Sequence, residues 1–156
     1  MVRFLAASAG IRQFVDVGTG LPTMQNTHAV AREVADDART VYVDNDPLVL
    51  RHAQTLLGDD PLTTYVHADY HEPDHILAAA AETVDSARPV AIMFMGVMGY
   101  EPDLDVVRAI VGRMTTAAAP RQPPGPLGVD PGLVPITQWQ TTAPPIDAYG
   151  AVARKP

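Results

Sequence analysis

The sequence contains no cysteine, which excludes disulfide bonds, thiolate metal ligands and cysteine nucleophiles. It has no run of about eighteen apolar residues, so it predicts no membrane-spanning helix. Residues 1–8 are too short an apolar stretch for a secretory signal peptide. The formal net charge of -7 argues against a nucleic-acid backbone as the main partner. We therefore expect a soluble cytoplasmic protein that binds no membrane and does not have a nucleic-acid backbone as its main partner. A small molecule, a peptide or an RNA base all stay open as substrates.

Short apolar strands and amphipathic helices alternate along residues 1–116. The chain has 156 residues, 47% of them hydrophobic, which is enough for one domain with a core. The alternation predicts an α/β fold with a Rossmann-like, doubly wound and mostly parallel sheet. The most apolar run, 89–95, is expected to be the central strand. The predicted strands are 13–17, 40–44, 63–67 and 89–95, and the predicted helices are 2–7, 27–35, 48–57, 74–84 and one that ends near 116.

The composition changes after residue 116. Residues 117–132 are rich in proline and glycine and predict a connecting loop with extended pieces. Residues 133–156 are expected to contain two strands, 133–138 and 149–154, which pair as an antiparallel hairpin at the edge of the sheet. Pro135 favours an edge position for the first of them. All three segments belong to one predicted domain, 1–156.

A glycine turn follows the first predicted strand. Gly18 and Gly20 allow a tight turn and a close approach to a ligand, as in the strand-turn-helix units that bind nucleotides. Thr23 stands where a dinucleotide fingerprint has its third glycine. Asp16 places a carboxylate two residues before the turn, where it would repel a pyrophosphate and attract a cation. S-adenosylmethionine, which has an ammonium, a sulfonium and no phosphate, fits this pattern better than a nicotinamide cofactor.

Each of the other strands also ends in residues suited to ligand binding. In a doubly wound sheet the ligand lies at the carboxyl ends of the strands. Asp44 is placed to accept hydrogen bonds from ribose hydroxyls, and Asp69 from an adenine amino group with Ala68 and Tyr70 beside the ring. Small residues near Gly96 leave room for the ligand. The predicted cofactor residues are Asp16, Gly18, Thr19, Gly20, Asp44, Asn45, Ala68, Asp69, Tyr70 and Gly96.

Several stretches together match the pattern of one known family. They are residues 10–23, 26–28, 41–47, 68–69, 88–91, 131–135 and 149–156. With these stretches the chain resembles the actinobacterial S-adenosyl methyltransferase family, of class I methyltransferase type, formerly a domain of unknown function. The resemblance implies S-adenosylmethionine as cofactor. It also implies that Asp16, Gly18 and Gly20 face the methionine part, Asp44 the ribose and Asp69 the adenine.

The chain departs from that family pattern in two places. Family members usually carry a helical region before the position of Val2, and a fifth strand with a helix after the position of Thr116. About fifteen residues, 117–131, fill the second gap, which is too short for a strand and a helix. We therefore expect one strand fewer than usual, a more open crevice and an exposed sheet edge that invites a homodimer.

Three functions follow as hypotheses. The leading one is an S-adenosylmethionine-dependent methyltransferase acting on an unidentified acceptor. The alternatives are a shortened, non-catalytic remnant that binds the cofactor or a partner, and a nicotinamide-dependent oxidoreductase. No spacing singles out a catalytic base among five candidates near the predicted edge. These are His28, Tyr70, His71, Tyr100 and Glu101.

A metal site is not predicted, although three histidines recur at a spacing of four. They are His67, His71 and His75. His67 ends a predicted strand and Pro73 interrupts the segment, so the three side chains should not share one helix face.

Overall fold

The computed structural model describes residues 1–21 and 26–118, together with four two-residue strands at 128–129, 134–135, 149–150 and 153–154. Four parallel strands form the central sheet. They are β1 (Gln13–Val17), β2 (Arg39–Asp44), β3 (Thr63–His67) and β4 (Ala91–Phe94). Their order is β3-β2-β1-β4, so the predicted α/β class and the parallel sheet are confirmed.

β4 lies at one edge of this sheet, and the expectation that it is the central strand is wrong for the part of the chain described. Its apolar sequence has another cause. Met93 packs into the core on one face of the sheet, whereas Ile92 and Phe94 pack against the core on the other. An edge strand that is covered on both faces needs apolar residues throughout, as a central strand does.

The described residues also form five α-helices and one 3₁₀ helix (Val97–Tyr100). α2 ends at Arg32 and α4 at Ala80, each earlier than predicted, and turns continue the chain. Asp46 accepts a hydrogen bond from the Leu48 amide and caps α3. The helices are α1 (Val2–Ala7), α2 (Thr27–Arg32), α3 (Pro47–Leu57), α4 (Pro73–Ala80) and α5 (Leu104–Ala118).

The helices divide between the two faces of the sheet. On one face α1 and α2 bury a small cluster that includes Leu5, Phe14 and Met93. On the other face α4 and α5 bury a larger cluster that includes Ile76 and Met114 with the valines of the central strands. Successive residues of a strand point to opposite faces, so β1 contributes to both clusters. This two-sided packing leaves the loops at the carboxyl ends of the strands free to form a site.

The described C-terminal strands form two short antiparallel pairs. Gly128–Val129 pairs with Ala153–Arg154, and Val134–Pro135 pairs with Tyr149–Gly150. Both pairs are separate from the central sheet, so the predicted hairpin at its edge is not shown. The rest of segments 133–138 and 149–154 lies outside the described residues, and the three predicted segments of the domain stay a prediction. Within the described ranges, every helix is too short or too polar to cross a membrane.

Candidate active site

The glycine turn after β1 is fixed by the neighbouring strand and by the 3₁₀ helix. Gly18 donates its amide hydrogen to the carbonyl of Val43 at 2.9 Å. It has a φ of 71°, and a Cβ at this position would lie 2.5 Å from Cβ of Val97. Only glycine therefore allows the 3₁₀ helix to approach the turn this closely. Gly20 also has a positive φ, 63°, but a Cβ there would have none of the described atoms within 4 Å.

Asp16 lies buried beneath this turn, with 7% of its surface exposed. Its Oδ2 accepts a hydrogen bond of 2.6 Å from the hydroxyl of Thr27 at the start of α2. Burial raises the pKa of the Asp16 carboxyl, and the Thr27 hydrogen bond opposes part of that rise. Asp16, Thr27, Met93 and Met95 line a cavity of about 510 Å³. Arg3 lines the same cavity, and its guanidinium is paired with Glu33. A cationic group entering the cavity would meet the carboxylate of Asp16.

Asp44 at the end of β2 is held by two backbone amides. Its Oδ2 accepts from the Gly20 amide at 2.9 Å, and its Oδ1 accepts from the Asp46 amide at 2.9 Å. The first bond ties the strand end to the glycine turn. A carboxylate oxygen can accept two hydrogen bonds, so each oxygen keeps one acceptor direction for a ligand. This arrangement suits a pair of hydroxyl groups.

Asp69 follows β3 and belongs to a polar cluster with three partners. Its Oδ2 accepts from Nδ2 of Asn45 at 2.8 Å, and its Oδ1 lies 2.6 Å from Nδ1 of His71. Nε2 of His71 lies 2.9 Å from Oε2 of Glu101. Bonds from the amide and ring of His71 and from Asn45 hold the pKa of Asp69 below its ordinary value. Sequence reasoning named His71 and Glu101 only as separate candidate bases, whereas the structure brings them into contact.

The remaining predicted site residues are Ala68, Thr19, Tyr70 and Gly96. Ala68 is buried, and its amide donates to the carbonyl of Asp44, so it positions the strand end. Thr19 is half-buried in the glycine turn. Tyr70 places its ring 4.1 Å from that of His71, and Gly96, with a φ of 93°, leaves open space beside it.

His28 and Tyr100 differ in burial and in contacts. His28 follows Thr27, the hydrogen-bond partner of Asp16, at the start of α2. The amide and Nδ1 of His28 both contact the hydroxyl of buried Tyr42, and burial lowers the pKa of His28. Tyr100 is 85% exposed on the 3₁₀ helix. Neither side chain shows a contact that identifies it as a base.

Two residues that the sequence analysis passed over contribute to the site. The hydroxyl of Thr27 is the hydrogen-bond partner of Asp16. Val97 closes the space over Gly18. A threonine at the first helical position after a glycine turn is the signal that could have pointed to Thr27. For Val97 the sequence offers no signal, since its place depends on how the loop after β4 folds back.

A second cavity, of about 540 Å³, lies away from these carboxylates. It is bordered by residues at the end of α3 and the start of β3, among them Gln54, Gly58 and Thr63. These residues lie at the opposite edge of the sheet from Asp44 and Asp69. The candidate site is therefore the carboxyl edge, where the strand ends and the glycine turn meet.

The residues at the carboxyl edge fit S-adenosylmethionine. They offer a buried carboxylate beside a cavity at β1, a doubly anchored carboxylate at β2 and a third carboxylate at β3. Gly20 and Gly96 keep the space around them open, because a Cβ at either would meet nothing within 4 Å. A cation with hydroxyl and amino groups can use all three acceptors, whereas a pyrophosphate would face like charges.

Comparison with known proteins points to the same cofactor. A family model described as S-adenosyl methyltransferase matches residues 1–122. One similar crystal structure is that of a Thermobifida fusca protein with a proposed methyltransferase activity. Its sequence is 34% identical to this chain, and the match covers 99% of this chain and 77% of that one, with a TM-score of 0.80. A DUF574 family protein from Streptomyces avermitilis is 35% identical over 99% of this chain and 79% of its own, with a TM-score of 0.72. No curated protein matches the sequence.

Proposed function

Since this chain belongs to the S-adenosyl methyltransferase family, we propose that it transfers a methyl group from S-adenosylmethionine to an acceptor that is not yet identified. The observation that carries the proposal is the row of carboxylates Asp69, Asp44 and Asp16. They lie at or near the carboxyl ends of β3, β2 and β1, which are adjacent in the sheet. Three acceptor groups in a row match the three donor groups of the cofactor.

Each carboxylate has a proposed partner. Asp69 would accept from the adenine amino group, and Asp44 from the two ribose hydroxyls through its free acceptor directions. Asp16 would face the ammonium of the methionine part, where an arriving cation offsets the unfavourable burial of its charge. Gly18, Thr19 and Gly20 would border the same part of the cofactor, while Asn45, Ala68, Tyr70 and Gly96 would surround the adenine.

The chemistry expected at this edge is an in-line displacement. When bound, S-adenosylmethionine supplies a sulfonium methyl group that a nucleophile can displace. The residues of this chain orient the two reactants and exclude water from the space between them. A base is needed only where the acceptor must lose a proton. His71 and Glu101 are already engaged with each other, so we assign neither of them this role.

The two other hypotheses are less well supported. The non-catalytic remnant is not favoured, because the family model describes an S-adenosyl methyltransferase, and a structure with a proposed methyltransferase activity aligns with 99% of this chain and 77% of its own length. The oxidoreductase conflicts with the family to which the chain belongs. We also propose a cytoplasmic location and an actinobacterial origin, as both similar structures come from actinobacteria.

A homodimer through β4 is a further part of the proposal. Among the described strands, β4 pairs with β1 alone, so its outer edge can accept another strand. Light scattering of the purified protein tests it, and a monomer at all concentrations would contradict it.

Calorimetric titration with S-adenosylhomocysteine, the product form of the cofactor, tests the proposed function. We expect binding in the micromolar range, about -8 kcal/mol at a Kd of 1 μM. Transfer of a labelled methyl group to candidate acceptors would follow. If the well-folded protein shows no binding, the methyltransferase proposal fails.

A further inference from the structure

We propose that His71, as an imidazolium, is a positioning residue that clasps the loop after β3 to the loop after β4 and so orients Asp69 toward the adenine end of the cofactor. The inference rests on the proposed function. His71 is not proposed to contact the sulfonium methyl group or the acceptor atom that would receive it. We call the contact among Asp69, His71 and Glu101 the histidine clasp.

The geometry of the clasp requires a protonated ring. Nδ1 of His71 lies 2.6 Å from Oδ1 of Asp69, and Nε2 lies 2.9 Å from Oε2 of Glu101. An ionised carboxylate can only accept hydrogen bonds, and a neutral imidazole has a single N–H. Only the imidazolium donates to both partners at once. In the neutral ring, one nitrogen lone pair would face a carboxylate lone pair.

The clasp also determines which part of Asp69 is available. Oδ1 accepts from the backbone amide of His71 at 2.9 Å and faces the ring nitrogen, so both of its acceptor directions are used. Oδ2 accepts from Asn45 and keeps one direction. His71 and Asn45 thus leave a single free acceptor on the carboxylate. The adenine amino group needs one such acceptor, and the bonds from His71 and Asn45 keep the carboxylate of Asp69 from rotating away from it.

Glu101 connects the clasp to the glycine turn. Its Oε1 accepts from the Asp103 amide at 3.0 Å, and its own amide donates to the carbonyl of Met98 in the 3₁₀ helix. The same 3₁₀ helix begins with Val97, which covers Gly18. The cation of His71 therefore links the adenine end of the proposed cofactor site to the methionine end through one continuous set of contacts.

The charged and titratable groups that face His71 are mostly acidic. The loop after β3 contributes Asp69 and Tyr70, and Glu72 at the start of α4 accepts from the Asp69 amide. The loop before α5 contributes Glu101, whose carboxylate is in turn bonded by the Asp103 amide. The bonds to Glu101 and then Asp69 raise the pKa of His71 above its ordinary value of 6.5.

The sign of the pH dependence follows from that direction. A group whose pKa is higher in the folded protein stabilises the fold fully below its unfolded pKa, and this contribution is lost as the pH rises through the folded pKa. The clasp should therefore be closed at slightly acidic pH and open as the pH passes the raised pKa of His71. Cofactor binding that needs the closed clasp must weaken over the same interval, and by linkage the ligand must raise the His71 pKa further.

Two measurements on the full chain test the clasp. The first is NMR titration of the His71 ring from about pH 5 to 9, with and without S-adenosylhomocysteine. The second is calorimetry with the same ligand over that range for the wild type, His71→Gln and Glu101→Gln. His75→Gln is the matched control, since His75 is also exposed and lies four residues after His71, in the first turn of α4.

We expect the wild-type affinity to fall about tenfold across the titration of His71, which is the change linked to one unit of ligand-induced pKa shift. His71→Gln should bind weakly throughout with a flat pH profile, Glu101→Gln should lower the His71 pKa, and His75→Gln should match the wild type. Equal affinities and parallel profiles for His71→Gln and the wild type would overturn the proposal. If neither the wild type nor any variant binds the ligand, the proposed function fails as well. A wild type that binds the ligand with the same affinity across this pH range removes the clasp alone.

Discussion

The hydroxyl of Thr27 donates a hydrogen bond of 2.6 Å to Oδ2 of Asp16 and joins the first turn of α2 to β1 beneath the glycine turn. The bond is buried, and it is the interaction that favours the ionised form of Asp16. Burial acts in the opposite direction and is the larger effect. The structure therefore keeps a carboxylate in a place where its charge opposes folding, which is expected where a cationic ligand is to be bound.

Replacing Asp16 should separate stability from binding. The folded-state pKa of Asp16 is raised, so its ionised form opposes folding above that pKa, and stability should increase as the pH falls through it. Asp16→Asn removes the charge at all pH values. We expect a higher Tm at neutral pH and an affinity for S-adenosylmethionine lowered about tenfold or more, as for a lost hydrogen bond to a charged group.

Thr27→Val provides the opposite case. It keeps the carboxylate and removes its buried partner, so we expect a lower Tm at neutral pH, by the equivalent of about 1–3 kcal/mol. Thermal denaturation of the two variants at pH 7 compares them directly. A fall in Tm for Asp16→Asn, similar to that for Thr27→Val, would contradict the conclusion that the buried charge opposes folding.

Asp44 and Asp46 form a second matched pair. Asp44→Ala removes the acceptor of the Gly20 amide and of the proposed ribose hydroxyls, so the affinity for S-adenosylhomocysteine should fall tenfold or more, about 1.4 kcal/mol. Asp46→Ala removes only the cap of α3. It should lower the free energy of unfolding by about 1 kcal/mol and leave binding nearly unchanged. Equal losses of binding in the two variants would exclude a specific role for Asp44.

The order of the elements could be predicted from the sequence because periodicity and turn residues are local signals. Gln13–Val17 and Thr63–His67 were predicted with the bounds that the structure shows. The helix ends were less predictable: 81–84 continue the alanine-rich pattern of α4, yet they form turns. Whether a helix continues there depends on its packing against the sheet, to which single-residue propensities are a weak guide.

The site could be predicted in its positions and only partly in its contacts. Asp16, Asp44 and Asp69 could be placed at one edge because parallel strands all end on the same side. The pairing of His71 with Glu101 joins residues thirty positions apart in sequence. It depends on α4 and α5 lying side by side on one face of the sheet, and no local pattern encodes this. The position of β4 in the sheet was mispredicted because the hydrophobicity of a strand indicates how deeply it is buried and does not indicate which strands lie beside it.

Gly18→Ala and Gly20→Ala should differ in their effects. Both glycines have a positive φ, which costs an alanine about 1–2 kcal/mol. At Gly18 the new Cβ also meets Val97, so we expect a total loss of about 2–5 kcal/mol when overpacking is included. At Gly20 the Cβ meets open space, and only the backbone effect should remain.

Urea denaturation of both variants measures this difference. Binding of S-adenosylhomocysteine supplies a second readout, because the methyl group of Gly20→Ala would project into space that the ligand is proposed to use. Equal losses of stability in the two variants would show that Val97 can move away from Gly18 at little cost.

Replacing Gln13, at the amino end of β1, should change the stability of the fold far from the candidate site. Gln13 is 1% exposed, its Nε2 donates to the carbonyl of Asp85 at 2.9 Å, and its Oε1 accepts from the Asp85 amide at 2.6 Å. Gln13→Leu keeps a similar volume but leaves the carbonyl and the amide of Asp85, the two groups at the shortest distances, without this partner. Each unsatisfied group costs about 1–3 kcal/mol, so we expect the free energy of unfolding, measured by chemical denaturation, to fall by about 2–6 kcal/mol in total.

The affinity of this variant for S-adenosylhomocysteine, measured well below its Tm, should stay within about twofold of the wild type because distant sites act independently. A larger loss of affinity would mean that the amino end of β1 and the glycine turn at its carboxyl end are coupled through the strand.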